Sequence, residues 1–159
     1  MNIVRAMNEI GERLKRFPCY IQFDMMDCGP AALASIASYY GKEYGIPELR
    51  GYCFLTKDGV SLLGIEDAAR NIGFETLAVK TSVPKLYSKK PFPCILHWDN
   101  VHFVVLYNIR KSIVTGQRFF YISDPSYGRV RVNEDEFCSH WCGAVSYTHL
   151  RAHETGRNL

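Results

Sequence analysis

The stretch "QFDMMDCGPAALASIASYY", residues 22–40, decides how the rest of the chain is read. From Cys28 to Tyr40 the residues are small or apolar almost without interruption, and Gly41 ends the run as a helix terminator does. A helix with no polar face has nothing to show to water, so a buried, central helix is predicted here. Pro30 does not object, because first-turn N–H groups have no intrahelical acceptor in any case. Cys28 is the odd member. It stands at the entrance of the run, between Asp27 and Gly29, with Gln22 one short turn upstream.

A thiol at that place meets the positive end of the helix dipole and several unpaired amides, which favour the nucleophilic thiolate. Asp27 opposes this slightly if ionised and exposed; as the N-cap it is expected to direct its charge to the helix's own amides. A nucleophile needs a base, and His102 is the best placed of five histidines, opening the strand "HFVVLYNIR" at its end and not in its apolar middle. The base needs an orienter. Asp124 ends the next strand, "RFFYISD", and a turn around Thr115, Gly116 and Gln117 would bring the start of one strand beside the end of the other. Gln22 supplies a side-chain amide that, with the Cys28 N–H, can point at the oxygen of a tetrahedral intermediate.

Elsewhere the pattern is clear in outline. Ile3, Met7, Ile10 and Leu14 fall at helical spacing, which predicts a short amphipathic helix over 2–15. Ser61 caps a second helix with a stripe of Leu62, Ile65, Ala69 and Ile72, stopped by Gly73. After residue 74 come short β-branched or aromatic runs between turn residues: "FETLAVKTS", "FPCILHW", "HFVVLYNIR", "RFFYISD" and "GRVRV", the marks of antiparallel strands. Asn133 and Glu136 form a capping pattern for a small helix in "NEDEF". Helices first and a sheet afterwards make an α+β domain. Chain order Gln, Cys, His, Asp across such a domain is the papain-like arrangement.

Bulk properties narrow the partners. At 159 residues one domain is the default, and 47% hydrophobic with 22% charged residues is ordinary for a globular chain. A net charge of +3 argues for neither nucleic acid nor an anionic membrane surface. No apolar stretch reaches the roughly 18 residues a membrane helix needs, and Arg5, Glu9 and Glu12 interrupt the N-terminus where a signal peptide has its apolar core. A soluble, cytosolic chain with six free thiols is expected, one of them reactive. Cys138, Cys142, His149 and His153 resemble a zinc pattern, but only six residues separate the two pairs, where fingers use about twelve. No metal site is expected.

"YIQFDMMDCGPAALASIASYYGK" resembles the nucleophile motif of the bacteriocin-processing peptidases, the papain-like N-terminal domains of peptidase-containing ATP-binding cassette transporters. "GVSLLGIEDAARNIGFET", "HWDNVHFVVL" and "ISDPSYGRVRV" resemble that family's later blocks, in order, and the similarity spans roughly residues 17–145. The resemblance implies a papain-like fold, with Cys28 as nucleophile, His102 as general base and acid, Asp124 as its orienter and Gln22 as oxyanion donor. It implies a cysteine endopeptidase that removes double-glycine leaders from exported peptides on the cytoplasmic side of a bacterial membrane. The implied partners are a leader-bearing precursor and the transmembrane and nucleotide-binding domains of an exporter, in cis or in trans. No cofactor is implied for the peptidase itself; ATP and Mg belong to the transporter part. Two alternatives remain open: a docking domain that binds without cutting, and another papain-fold acyl-transfer enzyme. The domain is expected to occupy residues 1–145, and the polar tail "SYTHLRAHETGRNL", residues 146–159, is expected to be non-native and outside the fold.

Overall fold

The structure, a computed structural model, describes residues 16–54 and 56–150. The helix expected over 2–15 lies outside the described residues. Within them the chain runs α1 (Cys28–Tyr39), α2 (Ile46–Tyr52), α3 (Leu62–Asn71), β1 (Phe74–Lys80), α4 (Val83–Lys89), β2 (Cys94–Trp98), β3 (His102–Lys111), β4 (Arg118–Asp124), β5 (Gly128–Asn133), α5 (Glu134–His140) and β6 (Trp141–Leu150). The strands form one antiparallel sheet in the order β1, β6, β2, β3, β4, β5. This is the α+β, papain-like class expected, helices first and an antiparallel sheet after. Among the described residues no helix is long and apolar enough to cross a membrane.

Helix α1 is the centre of one core. Every residue from Cys28 to Ala37 is buried. Fully buried Leu33 and Ile36 each contribute roughly 1.5–3 kcal/mol over exposure. The small residues of α1 serve close approach. A Cβ on Gly29 would lie 3.0 Å from Ile65 Cδ1, so the first turn of α1 fits against α3 only because no side chain intervenes. Gly64 is more constrained still: a Cβ there would sit 2.6 Å from the Cys53 carbonyl oxygen. Ser61 caps α3, its hydroxyl accepting from the Gly64 amide at 3.1 Å.

Successive side chains of the central strands go to opposite faces of the sheet. Phe103 and Val105 join the α1 core, whereas Val104 and Leu106 join a second core with Leu86 of α4 and Phe137 of α5. Helices on both faces explain why β2 and β3 read as continuous apolar runs instead of alternating ones. The domain boundary expected at residue 145 falls inside β6. Residues 146–150 continue the strand and pair with β1, Ser146 opposite Ala78 and Leu150 opposite Phe74. For those five positions the expectation of a segment outside the fold is corrected: backbone pairing recruits them although their side chains carry no strand-like apolar pattern.

Candidate active site

Several segments converge on a cavity of about 600 Å³, lined by Gln22, Cys28, Trp98, His102, Ser126 and His140 among others. Each segment is aimed by local chemistry. Cys28 begins α1 and is 6% exposed. His102 begins β3 because a tight turn reverses the chain just before it. The Val101 amide donates to the Trp98 carbonyl at 3.2 Å, and both central residues, Asp99 and Asn100, have positive φ (52° and 59°). Asp and Asn tolerate that region better than other residues with a Cβ, and such a turn suits a hairpin.

Asp124 ends β4, and its carboxylate folds back onto the following turn. Oδ1 accepts from the Ser126 amide at 2.8 Å and from His102 Nε2 at 2.8 Å. The side chain of Asp124 is 10% exposed and that of His102 is 19%. With Nε2 committed to Asp124, Nδ1 is the ring nitrogen left for Cys28, which lines the same cavity. Burial, the largest single influence, pulls the His102 pKa down. The hydrogen bonds to Asp124 and Cys28, with the charges of both, outweigh it and raise the value to about 9. The imidazolium is thus the favoured form at neutral pH.

Gln22 is held from three directions. Its backbone amide donates to the Pro125 carbonyl at 2.9 Å, its Oε1 accepts from Ser126 Oγ at 3.1 Å, and its Nε2 donates to the Asp24 carbonyl at 3.0 Å. A carboxamide has two N–H groups, so one remains for the cavity that it shares with Cys28. All four residues singled out in the sequence therefore meet in one place: Gln22, Cys28 and His102 on the cavity wall, Asp124 behind the imidazole.

One local expectation is corrected. Asp27 makes no side-chain cap. Its carboxylate, fully buried, instead takes a bidentate pair from Arg50 of α2, Nε to Oδ1 at 2.8 Å and Nη2 to Oδ2 at 2.6 Å. A guanidinium fork satisfies both oxygens at once, which the helix amides alone would not.

Several residues at the site carried no signal in the sequence reading. Ser126 bridges Gln22 and the His102 neighbourhood, its Oγ lying 3.5 Å from Nε2. Across the cavity His140 donates through Nδ1 to Asp99 at 2.7 Å and stacks on Trp98 at 5.1 Å. Met25, Val101 and Tyr127 stand at the mouth, 87%, 80% and 85% exposed. The Asp-Pro-Ser run after β4 was the one clue to Ser126, as a turn that folds an aspartate onto the second amide beyond it.

Comparison with known proteins is consistent across sequence and structure. The model of the Peptidase C39 family matches residues 16–152. The chain is 33% identical over 140 residues to the probable microcin-H47 secretion/processing ATP-binding protein MchF of Escherichia coli, covering 87% of this chain and 19% of that protein. It is 33% identical over 131 residues to the transport/processing ATP-binding protein ComA of Streptococcus pneumoniae, covering 79% of this chain and 18% of the relative. The chain thus spans about a fifth of the length of these curated relatives. Among solved structures, a double glycine motif protease from an AMS/PCAT transporter, in complex with the leader peptide, superposes with a TM-score of 0.76 at 33% identity, covering 86% of this chain and 93% of that one. The peptidase domain of Streptococcus ComA, a bi-functional ABC transporter involved in a quorum sensing pathway, gives 0.76 at 30% identity, covering 86% and 100%.

Proposed function

Since the chain belongs to the Peptidase C39 family and is a cysteine peptidase domain, we propose that it removes a double-glycine leader from an exported peptide, with Cys28, His102, Asp124 and Gln22 as its working residues. The observation that carries this reading is the single His102 ring, hydrogen-bonded to Asp124 at 2.8 Å and lining one cavity with the cysteine that opens a buried helix.

The Cys28 thiolate attacks the carbonyl carbon of the scissile bond, and the carbonyl oxygen takes up the negative charge. The Cys28 amide and the Gln22 carboxamide donate to that oxygen. As the tetrahedral intermediate collapses, the His102 imidazolium gives its proton to the departing amine, leaving a thioester on Cys28. A water then attacks the thioester carbon, its proton goes to His102, and the leader leaves with a new carboxyl terminus. Asp124 holds the ring in position throughout and stabilises its charged form.

Two glycines before the cut imply a passage too narrow for side chains larger than a methyl, through which backbone approaches closely. Affinity then comes from elsewhere on the leader, and apolar Met25, Val101 and Tyr127 at the cavity mouth offer contact for an amphipathic leader helix. In the longer protein this domain would face the cytoplasm beside transmembrane and nucleotide-binding domains, and ATP and Mg would act only there.

Three synthetic leaders test the reading: a parent peptide, one with Gly-Gly changed to Val-Val, and one with its apolar helical positions changed to Ser. The Val-Val change is expected to abolish cleavage chiefly through kcat, and the Ser change to raise KM. Efficient cleavage of the Val-Val peptide would move the function to a general papain-like hydrolase.

A further inference from the structure

Asp27 presents a problem that the mechanism above leaves unsolved. A fully buried carboxylate directly precedes the nucleophile, and an uncompensated negative charge there disfavours a second one on Cys28. Arg50 meets it with both ends of its fork, at 2.8 and 2.6 Å. The same guanidinium lies 3.8 Å from Asp24 Oδ2. Asp24 in turn accepts from the Met26 amide at 2.8 Å through Oδ1, and its carbonyl holds Gln22 Nε2 at 3.0 Å. One arginine on α2 therefore touches the turn that carries the oxyanion donor and the residue that precedes the nucleophile.

We propose that Arg50 is a positioning residue for Cys28: by clamping Asp27 it cancels the opposing charge beside the thiolate and fixes the turn carrying Gln22. The inference rests on Cys28 being the nucleophile proposed above. It assigns α2 a function in the reaction even though no residue of that helix lines the cavity. A lysine would supply the charge without the fork, so charge and geometry are separable.

The test is the pH dependence of Cys28 alkylation by iodoacetamide, read by peptide mass spectrometry, in the wild-type chain and in Arg50→Gln, Arg50→Lys and Asp27→Asn. The groups facing Cys28 are Asp27 beside it, Arg50 from α2, His102 from β3 backed by Asp124 from β4, and Asp58, His140 and its partner Asp99 around the cavity. Only the first two are varied. Arg50→Gln leaves a net negative charge and Asp27→Asn a net positive one, so the acid limb of the alkylation profile is expected to move in opposite directions. The two variants differ by two unit charges beside Cys28, so a separation of about one pH unit or more is expected, Arg50→Gln the higher. Arg50→Lys is expected to stay near wild type in this limb. Coincident limbs, or the reverse order, would overturn the proposal, because loss of a merely structural clamp gives both variants the same change. If Arg50→Gln does not fold, Asp27→Asn decides alone: a shift to lower pH supports the proposal, no shift or a shift to higher pH ends it. The readout needs no peptide, so it stands or falls apart from the leader assignment, which efficient cleavage of the Val-Val peptide would instead refute.

Discussion

Cys28 and Cys94 are both buried cysteines at the first residue of a regular element, 6% and 0% exposed, yet the protein treats them oppositely. Cys94 opens β2 with apolar neighbours on both faces, and burial pushes its thiol up, as it pushes Cys53 up to about 12. Cys28 opens a helix, beside an imidazole that Asp124 keeps charged. Burial alone silences a thiol by denying solvation to the thiolate. A helix N-terminus and a neighbouring imidazolium oppose that effect, because fixed dipoles and charges stand where water would have been. The same residue type is packing in one place and the proposed nucleophile in the other, and only the surroundings differ.

Truncations that strike one site and not the other sharpen this contrast. Cys28→Ala is expected to abolish leader cleavage while leaving the fold intact, whereas Cys94→Ala should retain turnover and lose thermal stability instead. Below that, His102→Ala should cost about 10³-fold or more in kcat, since it removes the proton donor and the thiolate's counter-ion. Gln22→Ala should cost on the order of 10²–10³, the usual effect of removing one oxyanion donor. Asp124→Ala should cost less than His102→Ala, because it loosens the ring without removing it. Steady-state kinetics on one peptide ranks them, and a Gln22→Ala enzyme with full activity would remove the oxyanion role while leaving the dyad standing.

A smaller effect lies in the pH profile. The raised His102 value means that the imidazolium survives through neutral pH and is lost as pH rises through about 9. Activity that needs the charged ring should therefore hold to mildly alkaline pH and fall with an apparent midpoint near 9, a property of the coupled pair. Asp124→Ala removes a partner that raises the value, so the alkaline midpoint should move to lower pH. An unmoved midpoint would break the link between Asp124 and the ring's charge.

Much of the site was legible because its residues sit at ends of elements whose patterns are strong. The α1 run is apolar on all sides, and the β3 and β4 runs leave their polar members, His102 and Asp124, at adjacent tips. Asn133, read as a cap, accepts from the Glu136 amide at 2.9 Å. What escaped notice has physical causes. Helices α2 and α4 have seven residues each, too few for a periodic signal, and each carries a proline in its first two positions that reads equally well as a turn. The end of β6 is polar, so pattern pointed away from strand. The ladder to β1 holds it nonetheless, leaving the Ser146 and Thr148 hydroxyls buried without a hydrogen-bond partner among the described residues, as is Thr76 opposite Thr148. Arg50 was invisible for a different reason: 23 residues separate it from Asp27, and no local pattern announces a salt bridge formed across a fold.

The most direct measurement is to trap the nucleophile with a leader-derived peptide chloromethyl ketone ending in Gly-Gly, which a reactive thiolate alkylates to a stable thioether as chloride leaves. Mass spectrometry of the adduct should place one inhibitor per chain on Cys28, with Cys19, Cys53, Cys94, Cys138 and Cys142 unmodified and cleavage lost in proportion. An adduct spread over several cysteines, or cleavage persisting with Cys28 unmodified, would contradict the account.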